Sequence, residues 1–186
     1  MALVYTPEKI AIGSDIPDFK LKATDGKEYN KKDFLNNKPL LVMFICNHCP
    51  YVKAIEDRLI KLGEDLNKHG INAVGICSND EINYPDDSFE NLKKRAEEKN
   101  YPFVYLHDPT QQAAKLFGAV CTPDFFLYDS RAKLAYRGRL DDSWKDPGQV
   151  TQRELFSAAL DLLMEKEISS NPIPSMGCSI KWIKND

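Results

Sequence analysis

Leu40-Leu41-Val42-Met43-Phe44-Ile45 is a run of six apolar residues, the right length for a strand and too short for a helix. An uninterrupted run of this kind suits a central strand covered on both faces. Beyond Cys49, the residues Val52, Ile55, Leu59, Leu62 and Leu66 recur at steps of three and four. That spacing predicts one stripe of a helix, with His69-Gly70 as its stop. Before the run, Phe19, Leu21 and Ala23 alternate with polar residues, and Asp25-Gly26 is a turn signal, so Asp18 to Phe34 reads as a β-hairpin.

After the helix, Ile71 to Cys77 predicts a second strand and Asn79 to Ser88 a polar, acidic loop. Phe89, Leu92 and Ala96 stripe a helix that ends around Asn100. Phe103 to Leu106 is a short strand, and Gln111 to Phe117 a short helix closed by Gly118. Asp124 to Tyr128 and Lys133 to Tyr136 read as two strands joined by a tight turn. A last helix covers Thr151 to Lys166, with Leu155, Ala159, Leu162 and Leu163 inward. From Ile168 onward, Pro172, Pro174 and Gly177 predict an irregular tail. The alternation implies an α/β domain with right-handed crossovers and a partly parallel, mixed sheet flanked by helices. No repeat or linker divides the chain, so residues 1–186 are expected to form one domain with a tail at 168–186.

Composition narrows the function classes. With 42% hydrophobic residues, 28% charged residues and a formal net charge of −3, the chain offers no electrostatic footprint for nucleic acid or for an anionic membrane. It has no apolar stretch of membrane-spanning length, and its first residues resemble no signal peptide. A cytoplasmic location is the expectation. Five cysteines stand at 46, 49, 77, 121 and 178. In a reducing compartment a close pair such as Cys46 and Cys49 is catalytic or metal-binding rather than a structural staple.

Cys46-Asn47-His48-Cys49-Pro50 lies at a strand-to-helix junction, and Thr122-Pro123 precedes a second strand. This order resembles the thioredoxin fold, and within it the redoxin branch of AhpC/TSA-type peroxiredoxins and resA/tlpA-type thiol reductases. Pro17-Asp18-Phe19, Asp25-Gly26 and Asp33-Phe34 match the N-terminal hairpin of that branch. The segments Cys46–Tyr51, Cys121–Phe126 and Gly177–Trp182 resemble a peroxiredoxin-like group of unsettled activity. The resemblance implies a cis bond before Pro123, lying against the dithiol, and no cofactor.

The resemblance implies two chemistries. In a thiol–disulfide oxidoreductase Cys46 attacks a disulfide and Cys49 resolves the mixed disulfide. The partners are then a protein or small-molecule disulfide and an electron donor. Cys46, just ahead of the helix, is expected to gain from the helix amides, and Pro50 fits the first turn. His48 either adds a cation that makes the couple more oxidising or is merely exposed. Enzymes with a histidine in that place lie at roughly −120 to −180 mV, against about −270 mV for thioredoxin. In a peroxidase Cys49 is the attacking residue. The family then has Thr or Ser where Cys46 stands and an essential Arg where Pro123 stands, which ranks this reading second. A metal-binding or redox-sensing module ranks third, and no metal ligands are assigned.

The other residues have plainer readings. Leu40 to Ile45 holds no buried acid of the thioredoxin kind, so the proton acceptor falls to His48, water or a residue elsewhere. Cys77 reads as a small buried residue. Cys121 is core filler or an auxiliary thiol, and Cys178 a surface or tail-packing residue rather than a third redox partner. Asp80, Glu81, Asp86 and Asp87 read as a solvated acidic surface, and Arg137 and Arg139 as surface residues. Trp144 and Trp182 shape a client surface or simply pack.

Overall fold

A computed structural model of the chain describes residues 3–6, 11–168 and 171–184. Residues 169–170 and 185–186 of the expected tail lie outside the described residues. Ten strands are numbered in chain order: β1 (Leu3–Tyr5), β2 (Lys20–Ala23), β3 (Glu28–Asn30), β4 (Leu40–Phe44), β5 (Asn72–Cys77), β6 (Val104–His107), β7 (Cys121–Thr122), β8 (Asp124–Tyr128), β9 (Leu134–Arg137) and β10 (Met176–Ser179). The helices are α1 (Pro50–Lys68), α2 (Phe89–Lys99), α3 (Gln112–Phe117) and α4 (Glu154–Leu163).

The apolar run becomes β4, and all five of its residues are buried. It lies inside a seven-stranded sheet of order β3-β2-β6-β5-β4-β8-β9. β4 runs parallel to β5 and antiparallel to β8, and β5 runs parallel to β6, so the sheet is mixed as expected. The hairpin of β2 and β3 extends the sheet through an antiparallel β2–β6 pairing.

Alternation along β4 divides two cores. Leu41 and Met43 pack with the stripe Val52, Ile55, Leu59, Leu62 and Leu66 of α1, and with Leu92 of α2 and Leu155 of α4. Leu40, Val42 and Phe44 face the other way, onto Phe117 and Ala113 of α3 and onto Phe19 and Phe34 beside the hairpin. Each such buried side chain contributes about 1.5–3 kcal/mol of transfer free energy, so the period of two in β4 is strongly enforced. α1 ends where predicted: Gly70 has φ +67, a conformation that glycine takes without a Cβ penalty.

Three expectations change. The last helix is shorter than Thr151 to Lys166, because regular structure spans only Glu154–Leu163. The tail is not irregular throughout. Met176–Ser179 forms β10, the middle strand of a second sheet of order β1-β10-β7. Its pairing on both edges supplies the backbone partners that its own sequence does not advertise. Arg137 is no surface residue. Its side chain is 6% exposed, pairs with the fully buried Asp124 at 2.8 Å, and donates to Gly118 O at 2.9 Å. Arg139 keeps partial exposure and pairs with Glu154.

Candidate active site

β4 ends at Phe44 and α1 begins at Pro50, so the intervening segment is a short loop under the edge of the sheet. Ile45 N donates to Ile76 O at 3.0 Å, which holds the loop's start against β5. Both cysteines are buried: Cys46 is 3% exposed and Cys49 0%. The Thr122-Pro123 bond is cis. Thr122 touches both thiols, with its Oγ1 3.3 Å from Cys46 Sγ and its carbonyl accepting from Cys49 Sγ at 3.1 Å.

Cys49, not Cys46, is the N-cap residue of α1. The helix amides therefore lie nearer Cys49 than Cys46, although the Cys49 side chain makes no capping hydrogen bond. Burial, with the hydrogen bond to Cys49 next, pushes the Cys46 thiol well above its ordinary value. The Cys49 thiol is lowered to about 5, first by the hydrogen bond from Cys46, with desolvation opposing and the Val52 amide and Cys178 assisting. Cys49 is thus the more acidic thiol of the pair.

The residue that organises this loop is one that sequence reading missed. Asp87, expected in solvent, is 0% exposed. Its Oδ1 accepts from the amides of Asn47 at 2.7 Å and His48 at 3.2 Å. Its Oδ2 lies 2.5 Å from His48 Nδ1 and accepts from Asn79 Nδ2 at 2.8 Å. A carboxylate only accepts, so Nδ1 carries a hydrogen and Nε2 points away from Asp87. Nε2 is buried and has no partner. The ring is stacked on Tyr84, with centroids 5.1 Å apart, so His48 is not the free exposed histidine of the alternative reading. Asn47 Nδ2 adds bonds to the carbonyls of Asp86 and Asn91. Asp80 is also buried, accepting from Ile82, Asn83 and the Asn83 side chain, whereas Asp86 is exposed.

Among the described residues, Cys46, His48 and Asp87 also form a metal-type group, with ligand atoms within 4.8 Å of one another. Both Asp87 oxygens are already taken by protein donors, so His48 and Asp87 stand as a hydrogen-bonded pair beside Cys46.

The remaining cysteines divide. Cys77 is fully buried and its thiol is raised by desolvation, as a core residue should be. Cys121 directs its sulfur to Pro123 O at 3.6 Å and Thr6 Oγ1 at 3.8 Å rather than to the dithiol. Cys178 is 1% exposed and lies opposite Thr122 in the β10–β7 pair. It belongs to the same buried cluster as Cys46 and Cys49.

A cleft of about 220 Å³ borders the site, lined by Pro123, Tyr51, Trp144, Tyr5, Ile173 and Met176 among others. Tyr51 and Trp144 form its aromatic wall, with ring centroids 4.9 Å apart. Trp182 stands elsewhere, 39% exposed and under Lys115. No helix among the described residues is long and apolar enough to cross a membrane.

Solved structures of an uncharacterized conserved protein from Geobacillus kaustophilus and a hypothetical protein from Sinorhizobium meliloti 1021 are similar over nearly the whole chain. The first is 40% identical, with TM-score 0.95, covering 100% of this chain and 99% of that one. The second is 36% identical, with TM-score 0.89, covering 96% and 98%. The thioredoxin domain of a thiol–disulfide oxidoreductase from Bacteroides vulgatus shares the fold at 21% identity, with TM-score 0.58, covering 69% of this chain and 89% of that one. A Helicobacter pylori protein assigned to peroxiredoxin bcp is 28% identical over 112 residues, or 60% of this chain and 68% of that protein. Residues 12–137 match the AhpC/TSA family. The chain belongs to the AhpC/TSA family and is a redoxin with the thioredoxin fold.

Proposed function

We propose that this redoxin is a thiol–disulfide oxidoreductase that reduces or isomerises disulfides, with Cys46 attacking and Cys49 resolving. The observation that carries the reading is the S–H group of Cys46 held against Thr122 and the cis bond to Pro123, beside an imidazole whose orientation Asp87 fixes. His48 takes the thiol proton, and Cys46 Sγ bonds to one client sulfur as the client S–S bond breaks. The electron pair leaves on the second client sulfur, which the imidazolium protonates. The Cys49 thiolate then attacks Cys46 Sγ, expels the client as a thiolate and leaves a Cys46–Cys49 disulfide. An external dithiol donor restores the pair.

The depressed Cys49 thiol stabilises the reduced form, which makes the couple more oxidising, as expected from His48 but through a different residue. In a reducing cytoplasm such a couple rests as the dithiol and works as a reductant or isomerase. The client is a protein or small-molecule disulfide that reaches the pair past Pro123 and Tyr51. Cys46→Ser should abolish reduction of insulin disulfides, and retained activity would sink the reading. Cys49→Ser should trap clients covalently on Cys46 and so identify them.

One observation favours a second reading, a peroxiredoxin-like thiol peroxidase. Cys49 caps a helix, precedes Pro50 and carries a thiol lowered to about 5, all of which a peroxide-attacking thiolate requires. Against it, Cys46 and Pro123 occupy the places of the family's Thr and Arg. Peroxide consumption that survives Cys46→Ser but not Cys49→Ser would promote it.

A further inference from the structure

Thr122 is a common neighbour of three thiols. Its hydroxyl lies 3.3 Å from Cys46 Sγ, its carbonyl accepts from Cys49 Sγ at 3.1 Å, and its backbone pairs with Cys178 across β7 and β10. Cys178 is buried in the same core cluster as Cys46 and Cys49. The residue before it permits this approach: a Cβ on Gly177 would stand 2.0 Å from Thr122 O. Cys77 and Cys121 have no such relation. Cys121 bonds Thr6 and the Pro123 carbonyl instead.

We propose that Cys178 is a third redox thiol, which exchanges with the Cys46–Cys49 disulfide to form Cys49–Cys178 and return Cys46 as a free thiol. The proposal rests on the dithiol reading above. In the step, Cys178 Sγ attacks Cys49 Sγ, the Cys46–Cys49 bond breaks, and the electron pair leaves on Cys46. The Cys178 proton passes to Cys46, so one disulfide and one thiol become one disulfide and one thiol, with no outside oxidant. Burial disfavours a free Cys178 thiolate, so loss of its proton and transfer to the leaving Cys46 sulfur accompany the attack. The exchange clears the client-facing thiol and moves the oxidised bond onto the tail strand. The external dithiol donor then reduces Cys49–Cys178.

The test is a disulfide map of full-length protein equilibrated with oxidised glutathione. In Cys46→Ser, the peptides carrying Cys49 and Cys178 should be cross-linked, with loss of both free thiols. A glutathione adduct on Cys49 beside a free Cys178 overturns the proposal. Wild-type protein provides the second arm should Cys46→Ser misfold. A link between the Cys178 peptide and the peptide holding Cys46 and Cys49 supports exchange, and a link confined to the latter overturns it. Cys178→Ser separates the two readings: it should still close Cys46–Cys49, and failure to do so overturns the dithiol reading itself.

Discussion

Asp87 Oδ2 lies 2.5 Å from His48 Nδ1, and its carboxylate is wholly shielded from solvent. A pair so placed sets the tautomer and the orientation of the ring, which the dithiol reading requires. Asp87→Asn preserves size but also brings N–H donors, so the ring loses its fixed orientation. Disulfide reduction should fall roughly 100-fold, the lower end of what a positioned proton acceptor contributes. His48→Ala should fall as far, and the double variant no further, because the two act as one unit. Added imidazole should rescue His48→Ala in single-turnover assays but leave Cys46→Ser inactive. Failure of that rescue would argue for a purely structural histidine.

A second prediction concerns pH. The Cys49 thiol is lowered in the fold to about 5 from an ordinary value of 9.0. A depressed acid contributes stability that is complete above the unfolded value and is lost as pH falls through the folded one. The reduced protein should therefore gain stability from about pH 5 to about pH 9 relative to Cys49→Ser, at less than about 1.4 kcal/mol per pH unit. Denaturant titrations of both proteins across that window measure the difference. It should vanish in the Cys46–Cys49 disulfide, where no thiol remains to titrate.

Arg137 and Asp124 form a buried pair whose loss should be costly. Desolvation already raises the Asp124 carboxyl, and the Arg137 hydrogen bond opposes it. Arg137→Leu leaves a buried carboxylate unpaired and should cost about 3–5 kcal/mol in urea unfolding at neutral pH. The deficit should shrink as pH falls, because protonated Asp124 tolerates burial better. Replacing Asp124 with Leu as well should recover most of it. A surface arginine would show none of this.

Gly177→Ala tests how the tail strand meets the site. The new Cβ meets backbone at Thr122 rather than a flexible side chain, so the strand itself must move. Overpacking of this kind costs about 1–3 kcal/mol, or roughly 2–12 °C in Tm for a chain of this size. The Cys49–Cys178 cross-link should be lost with it, while Cys46–Cys49 still closes. A variant with unchanged Tm and cross-linking would show that the strand does not hold Cys178 in place.

The elements that carry burial were legible in the chain, because burial imposes a period. Val52 to Leu66 and Leu40 to Ile45 take their positions in α1 and β4 for that reason. Asp87 had no such signal. It follows Pro85-Asp86 in a polar loop, and only a partner 39 residues away makes it a buried anchor rather than a solvated acid. β10 was hidden for a related reason: Gly177 is a poor strand former, and the strand exists through pairing with β1 and β7. Arg137 next to Gly138 looked like an outgoing surface strand, since nothing local announces the carboxylate of Asp124 across the sheet. The cysteine pair was visible from spacing, but which cysteine caps the helix depended on where the first turn closed.

Asn79 ties these unannounced pieces together. Its Nδ2 donates to Asp87 Oδ2 at 2.8 Å, and its Oδ1 accepts from the amide of Lys181 at 2.8 Å, just past β10. Gln111 braces the same segment through Lys181 O and Ile183 N. One amide group therefore reports to the anchor of His48 whether the tail is seated. A chain clipped ahead of Met176 would keep the bonds of Asn47, His48 and Asn79 to Asp87, yet lose in a single cut both the Lys181 brace on Asn79 and Cys178.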